Sequence, residues 1–190
     1  MKITKGSSGY IRYRRKQQLM VSTALLLLVV LLYLIPLRYF ETNKNIFSIM
    51  AALLALPAAK FIVNTVMFFR APCCTEDLRC AVIKTAPHVP GAFDLYLTSY
   101  SKNFALSHTG VLDNSLIAIS QDPSCDISAA EAHIRRMLQQ SGCHGYSIRV
   151  FGNAKSYLTA LARMEETAAQ KNIEQKKADQ ALSALKAVAL

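Results

Sequence analysis

A chain of 190 residues has room for one modest domain and a short appendage. Hydrophobic residues make up 52% and charged residues 18%, with a mean hydropathy of +0.22, which excludes a soluble domain with an ordinary spread of apolar residues. The formal net charge of +10 acquires a meaning only from where the charges lie.

They lie first. Lys2, Lys5, Arg12, Arg14, Arg15 and Lys16 precede any acidic residue, so residues 1–18 read as a basic N-terminus. Residues 19–37, LMVSTALLLLVVLLYLIPL, carry no charge and approach the roughly 20 apolar residues that a helix needs to cross a hydrocarbon core. Residues 46–69, IFSIMAALLALPAAKFIVNTVMFF, are long enough for a second, tilted span. Residues 19–70 are therefore expected to form a transmembrane hairpin. Its link, Arg38 to Asn45, is nearly balanced in charge, so the basic N-terminus is the flank that stays inside. The expected topology puts the N-terminus and everything beyond residue 70 in the cytoplasm, on a plasma membrane whose anionic headgroups attract the basic cluster. Tyr10, Tyr13, Tyr39 and Phe40 suit the two interfaces. A cleaved signal peptide fits poorly, because the first run exceeds an ordinary apolar core and Pro36-Leu37-Arg38-Tyr39 is not a small-x-small site.

Lys60 is the most unusual residue of the anchor. It lies about 15 Å from Arg70 along a helix rising 1.5 Å per residue, and its side chain leans away from the cytoplasmic surface. Asn64 shares its face one turn on. Ionisable groups at depth are expensive, so Lys60 and Asn64 are expected to contact another membrane protein or a second copy of the chain. The plainer alternative is that Pro57 bends the segment and lays Lys60 to Phe69 along the interface.

After Pro72 the pattern becomes that of a soluble domain, placed at residues 75–164. Leu78 to Ala86 reads as a strand. Ala92 to Tyr100, Phe104 to Leu112 and Ser115 to Ser120 alternate between short turns and predict an antiparallel meander. Ser128 and Glu131 form a capping-box pattern ahead of a helix ending at Gly142. Tyr146 to Phe151 is expected as a fifth strand, and Asn153 as the cap of a helix carrying Leu158, Leu161 and Met164. Residues 165–190 read as a polar, solvated helical tail. The expected class is α+β, with a mainly antiparallel sheet of about five strands and two or three helices behind the hairpin.

Candidate chemistry is thin. The odd cysteine count and irregular spacing of Cys73, Cys74, Cys80, Cys125 and Cys143 argue against a disulfide framework, which agrees with a reducing compartment. Cys73, Cys74, Cys80 and His88 lack zinc-site spacing, so no metal is expected. No GxSxG, HExxH, P-loop or GxGxxG pattern appears, and no cofactor or catalytic residue is assigned. Asp94, alone on its strand, His108 and Cys143 are the residues a site in the soluble domain would use. Asp113, Asp122 and Asp126 fall in turns, where aspartate caps backbone locally. From Arg70 onward thirteen basic residues oppose eleven acidic ones, so a nucleic-acid partner is not expected.

The order helix, three meander strands, helix, strand, helix over about residues 78–163 resembles the core of the PD-(D/E)xK nuclease superfamily. That resemblance implies a metal held by an Asp on the second core strand and an E-x-K on the third. Here Asp94 lies on the first meander strand and the later strand reads SLIAISQD, so the resemblance implies at most a degenerate nuclease. The chain is also similar to uncharacterised two-span membrane proteins of bacteria. The functional expectation is a membrane-anchored adaptor, regulatory or protein-interaction domain, with a tethered hydrolase or degenerate nuclease as the alternative.

Overall fold

A computed structural model describes residues 4–40, 46–99, 102–170 and 175–189. Residues 41–45 of the expected link and Ser101 of the expected turn lie outside them. The chain divides into two units: residues 11–71, and a domain in which the first ten residues join residues 72–190.

The first unit is a pair of helices. Helix α1 spans Tyr10–Phe40 and α2 spans Ile46–Arg70. Both are long and apolar enough to cross a membrane. Helix α1 begins well before the uncharged run, so Arg12 to Lys16 are helical. Pro57 lies within α2, which remains one helical segment through Lys60 to Arg70. On α2, Ala51, Ala58 and Thr65 are buried at seven-residue intervals with Phe68 beside them, and on α1 Ser22 is buried. The large side chains point away: Leu27, Leu31, Ile35, Ile49, Leu53 and Val63 are all exposed, as suits a lipid-facing surface. At the foot of the pair, the Arg15 guanidinium donates from Nε to the Phe68 carbonyl at 2.8 Å and from a terminal nitrogen to the Ala71 carbonyl. It also sits 5.8 Å from the centre of the Phe69 ring. A cation there satisfies carbonyls that α2 leaves open and matches the negative end of its dipole.

The second unit is a three-layer domain. Its strands are β1 (Gly91–Thr98), β2 (Asn103–Leu112), β3 (Ser115–Ile119) and β4 (Ser147–Phe151), in that spatial order. The first three pair antiparallel as a meander, and β4 joins β3 in parallel after a crossover through α4 (Ile127–Gln140). Helices α4 and α6 (Gln175–Val188) pack on one face around Leu97, Leu106, Leu116 and Ile134. On the other face, α3 (Glu76–Thr85) and α5 (Ala154–Gln170) enclose Leu78, Ile117, Ile119, Tyr157 and Leu161. With both faces covered, all of β2 after its first residue is buried.

The class is α+β, but the sheet has four strands, because the expected first strand is helix α3. Thr75 caps it by accepting the Leu78 N–H, Glu76 and Asp77 favour its positive end, and Leu78 and Val82 bury one face a turn apart. Helix α4 is capped by Asp126 rather than Ser128, and Glu131 accepts the Val150 N–H at 2.8 Å instead of closing a capping box. The largest correction concerns the C-terminal tail. Helix α6 is not a solvated extension: Ala178, Ala181, Leu182, Leu185 and Ala189 are buried in the core. Small apolar residues repeat along its inner face where no large side chain announces burial.

The β1 edge is bordered by other segments of the chain, which reduces the hazard of an open strand edge. The Phe93 N–H donates to the Gly6 carbonyl at 2.8 Å, and Leu97 bridges to Ala189 on the same side of β1. Lys5 Nζ donates to the carbonyls of Ala189 (2.7 Å) and Lys186 (3.4 Å), closing the C-terminal end of α6. At the other edge, Glu131 occupies an outward N–H of β4.

Candidate functional site

Asp94, His108 and Cys143 have distinct surroundings. Asp94 stands in the middle of β1 with φ +53°, a left-handed conformation that aspartate tolerates better than most residues. The side chain is 5% exposed, and its two oxygens have separate partners. Oδ2 accepts the Gly9 N–H at 2.9 Å and Oδ1 accepts the Cys74 N–H at 2.7 Å. Gly9 stands just before α1, and Cys74 follows shortly after α2. One carboxylate thus holds the segment entering the hairpin and the segment leaving it. Bonds from neutral donors to a carboxylate are the stronger kind, which offsets the backbone strain.

His108 lies on β2 opposite Phe93, its ring tilted at 47° with centroids 4.3 Å apart. Nδ1 is 2.6 Å from the Tyr157 hydroxyl, which α5 supplies from the buried layer. Burial lowers the His108 pKa to about 4, so the ring is neutral at physiological pH. Burial also raises the Tyr157 pKa, with the nearby Cys74 adding to it. Gly91 lets the imidazole sit there, because a Cβ at that position would come 2.6 Å from Nε2. A cavity of about 260 Å³ beside the ring is walled by Val82, Ile83, Ala86, Val89 and Phe93. No acidic residue lines this cavity to orient the imidazole as a base.

Cys143 belongs to the opposite face of the sheet, in the core beneath α4 and α6, with Sγ 4.0 Å from the Ser141 carbonyl. Cys74 is also buried, and desolvation followed by the charge of Asp94 pushes its thiol up to about 12. It therefore stays protonated and unreactive at neutral pH. His88 Nδ1 pairs with Glu165 at 2.6 Å and so fastens the loop before β1 to α5. Asp122 caps Ser124, and Asp126 caps α4 while pairing with Lys102. Among the described residues no group of three His, Cys, Asp or Glu side chains is placed to hold a metal ion.

In the hairpin, Lys60 is exposed and Asn64 half-buried, outside the stripe of Ala51, Ala58 and Thr65. Sequence reasoning missed the Asp94 clasp because its partners are backbone amides at positions 9 and 74, and amides leave no mark in a sequence. It also missed Tyr157 as the partner of His108, since the two lie on a helix and a strand 49 residues apart.

These features define a class, an α+β domain in which one carboxylate joins the two chain segments that flank a pair of long apolar helices. Compared with protein-family models, curated proteins and solved structures, the chain matches none.

Proposed function

We propose that the chain is a membrane-anchored interaction module: the hairpin crosses the plasma membrane twice, both of its ends emerge in the cytoplasm, and the domain recruits or regulates a protein partner there. The Asp94 clasp carries this reading. A single carboxylate that binds the amides of Gly9 and Cys74 supports placing the flanks of both helices on one side of the bilayer. The basic flank supports a cytoplasmic location for that side. The role of interaction module is supported by the employment of Asp94, His108 and Cys143 in packing and backbone satisfaction. Lys60 and Asn64, on the outer surface of α2, are the proposed contact with a membrane-embedded partner or a second copy.

A degenerate nuclease-like core is a second reading, favoured by the element order from α3 to α5. Against its chemistry stands Asp94, whose two oxygens are both occupied by backbone amides.

A promiscuous biotin ligase fused after Leu190 tests the first reading in cells, since its labelling needs cytoplasmic ATP. The expected result is a reproducible set of labelled proteins, enriched over the ligase on an unrelated two-helix anchor, with at least one lost in Lys60→Leu. Absence of all labelling rejects the cytoplasmic placement, and labelling no different from the unrelated anchor rejects the role.

A further inference from the structure

Beside β4 and α5 the domain gathers positive charge that its overall balance conceals. A cleft of about 370 Å³ is lined there by Arg149, Phe151, Lys155, Ser156, Thr159 and Arg163. Arg149 is paired in register with Ile117, which places it on the face of the sheet that α5 covers. Lys155, Thr159 and Arg163 follow one another at four-residue intervals and so share one face of α5. Three cationic side chains thus border one space, and no acidic residue lines it.

None of the three forms an ion pair or side-chain hydrogen bond among the described residues. This sets them apart from Arg15, Arg79, Lys5 and Lys102, all of which have partners. Clustered like charges repel one another, and an anion between them relieves that repulsion. The Ser156 hydroxyl adds a donor, whereas the Thr159 hydroxyl already donates to the Lys155 carbonyl at 3.0 Å. The first turn of α5 contributes little, because the Lys155 N–H donates to Asn153 Oδ1 at 2.9 Å. Recognition would come from side chains: two guanidinium forks that match tetrahedral oxyanions, an ammonium and a hydroxyl. Phe151 supplies an apolar wall for the organic group attached to such an anion.

We propose that this cleft binds a phosphate group, carried either by a soluble phosphate compound or by the headgroup of an anionic lipid. The proposal is independent of which side of the membrane the domain occupies.

The test uses the full chain in phosphatidylcholine nanodiscs, which expose both membrane faces. Acetylation of Lys155 is followed by mass spectrometry, with Lys84, an exposed lysine outside the cleft, as the internal reference. One arm adds millimolar inorganic pyrophosphate against sodium chloride of equal ionic strength. The other replaces part of the phosphatidylcholine with phosphatidic acid. The expected result is a several-fold slowing of Lys155 relative to Lys84, in the first arm for a soluble source and in the second for a lipid source. The slowing should vanish in the double variant Arg149→Gln, Arg163→Gln, whose replaced side chains are exposed and hold nothing in place. Lys155 reacting at the chloride rate in both arms overturns the proposal, and so does protection that survives the double substitution.

Discussion

Asp94 and His108 are each fixed by partners that make them poor reagents and good structural groups. Replacing Asp94 with alanine strands two backbone N–H groups and leaves a left-handed residue without its compensation. A loss of about 3–6 kcal/mol is expected, from two hydrogen bonds to a charged acceptor worth roughly 1.5–3 kcal/mol each. Asparagine tolerates the same backbone and keeps one acceptor oxygen, so Asp94→Asn should lose about half as much. Hydrogen exchange at the Gly9 and Cys74 amides reads this directly: both should speed up together in the alanine variant, whereas one unaffected amide would mean that the clasp is not shared. His108 gives the domain a dependence on pH. Its pKa is lowered from 6.5 to about 4 in the folded state. The unfolded chain therefore takes up a proton first, and stability is whole above about pH 6.5 and falls as the solution is acidified towards pH 4. The total should be about 3 kcal/mol, at roughly 1.4 kcal/mol per unit of pKa. Denaturant unfolding across that range should show the slope in wild type, and His108→Gln, which retains an acceptor for Tyr157, should lose most of it, keeping the smaller part from His133, whose pKa burial also lowers.

Among the elements, the meander was legible because strict alternation and short turns are both local properties. Helix α3 was not, because LRCAVIKTA contains β-branched residues and no breaker, while the deciding signal lies just ahead of it in Thr75, Glu76 and Asp77. Helix α6 escaped for a different reason. Alanine counts as apolar yet reads as neutral filler on a helix, and only the sheet beneath reveals that Ala178, Ala181 and Ala189 are inward-facing. Leu185 tests the docking of this helix, since it is fully buried. Leu185→Ala should cost about 2–5 kcal/mol, as a core truncation does, against a few tenths for a solvated tail. Thermal unfolding of the two proteins in the same detergent distinguishes these outcomes.

For the whole molecule, the two long apolar helices were the most legible part, since length and lack of charge are properties a sequence states outright. The charge of the domain was not, because a net balance is a single number while a cleft is a place. Thirteen basic and eleven acidic residues nearly cancel, yet Arg149, Lys155 and Arg163 meet where no acid lines the cleft. The N-terminal boundary also moved, for residues 4–10 belong with the domain on the far side of the hairpin in sequence. Lys5 grips the carbonyls of Lys186 and Ala189, and Gly6 borders β1. The order of biogenesis follows. During synthesis Gly6 and Gly9 can meet Phe93 and Asp94 once β1 is made, whereas Lys5 waits for the carbonyls of Lys186 and Ala189, so β1 acquires its full border only when the last helix arrives.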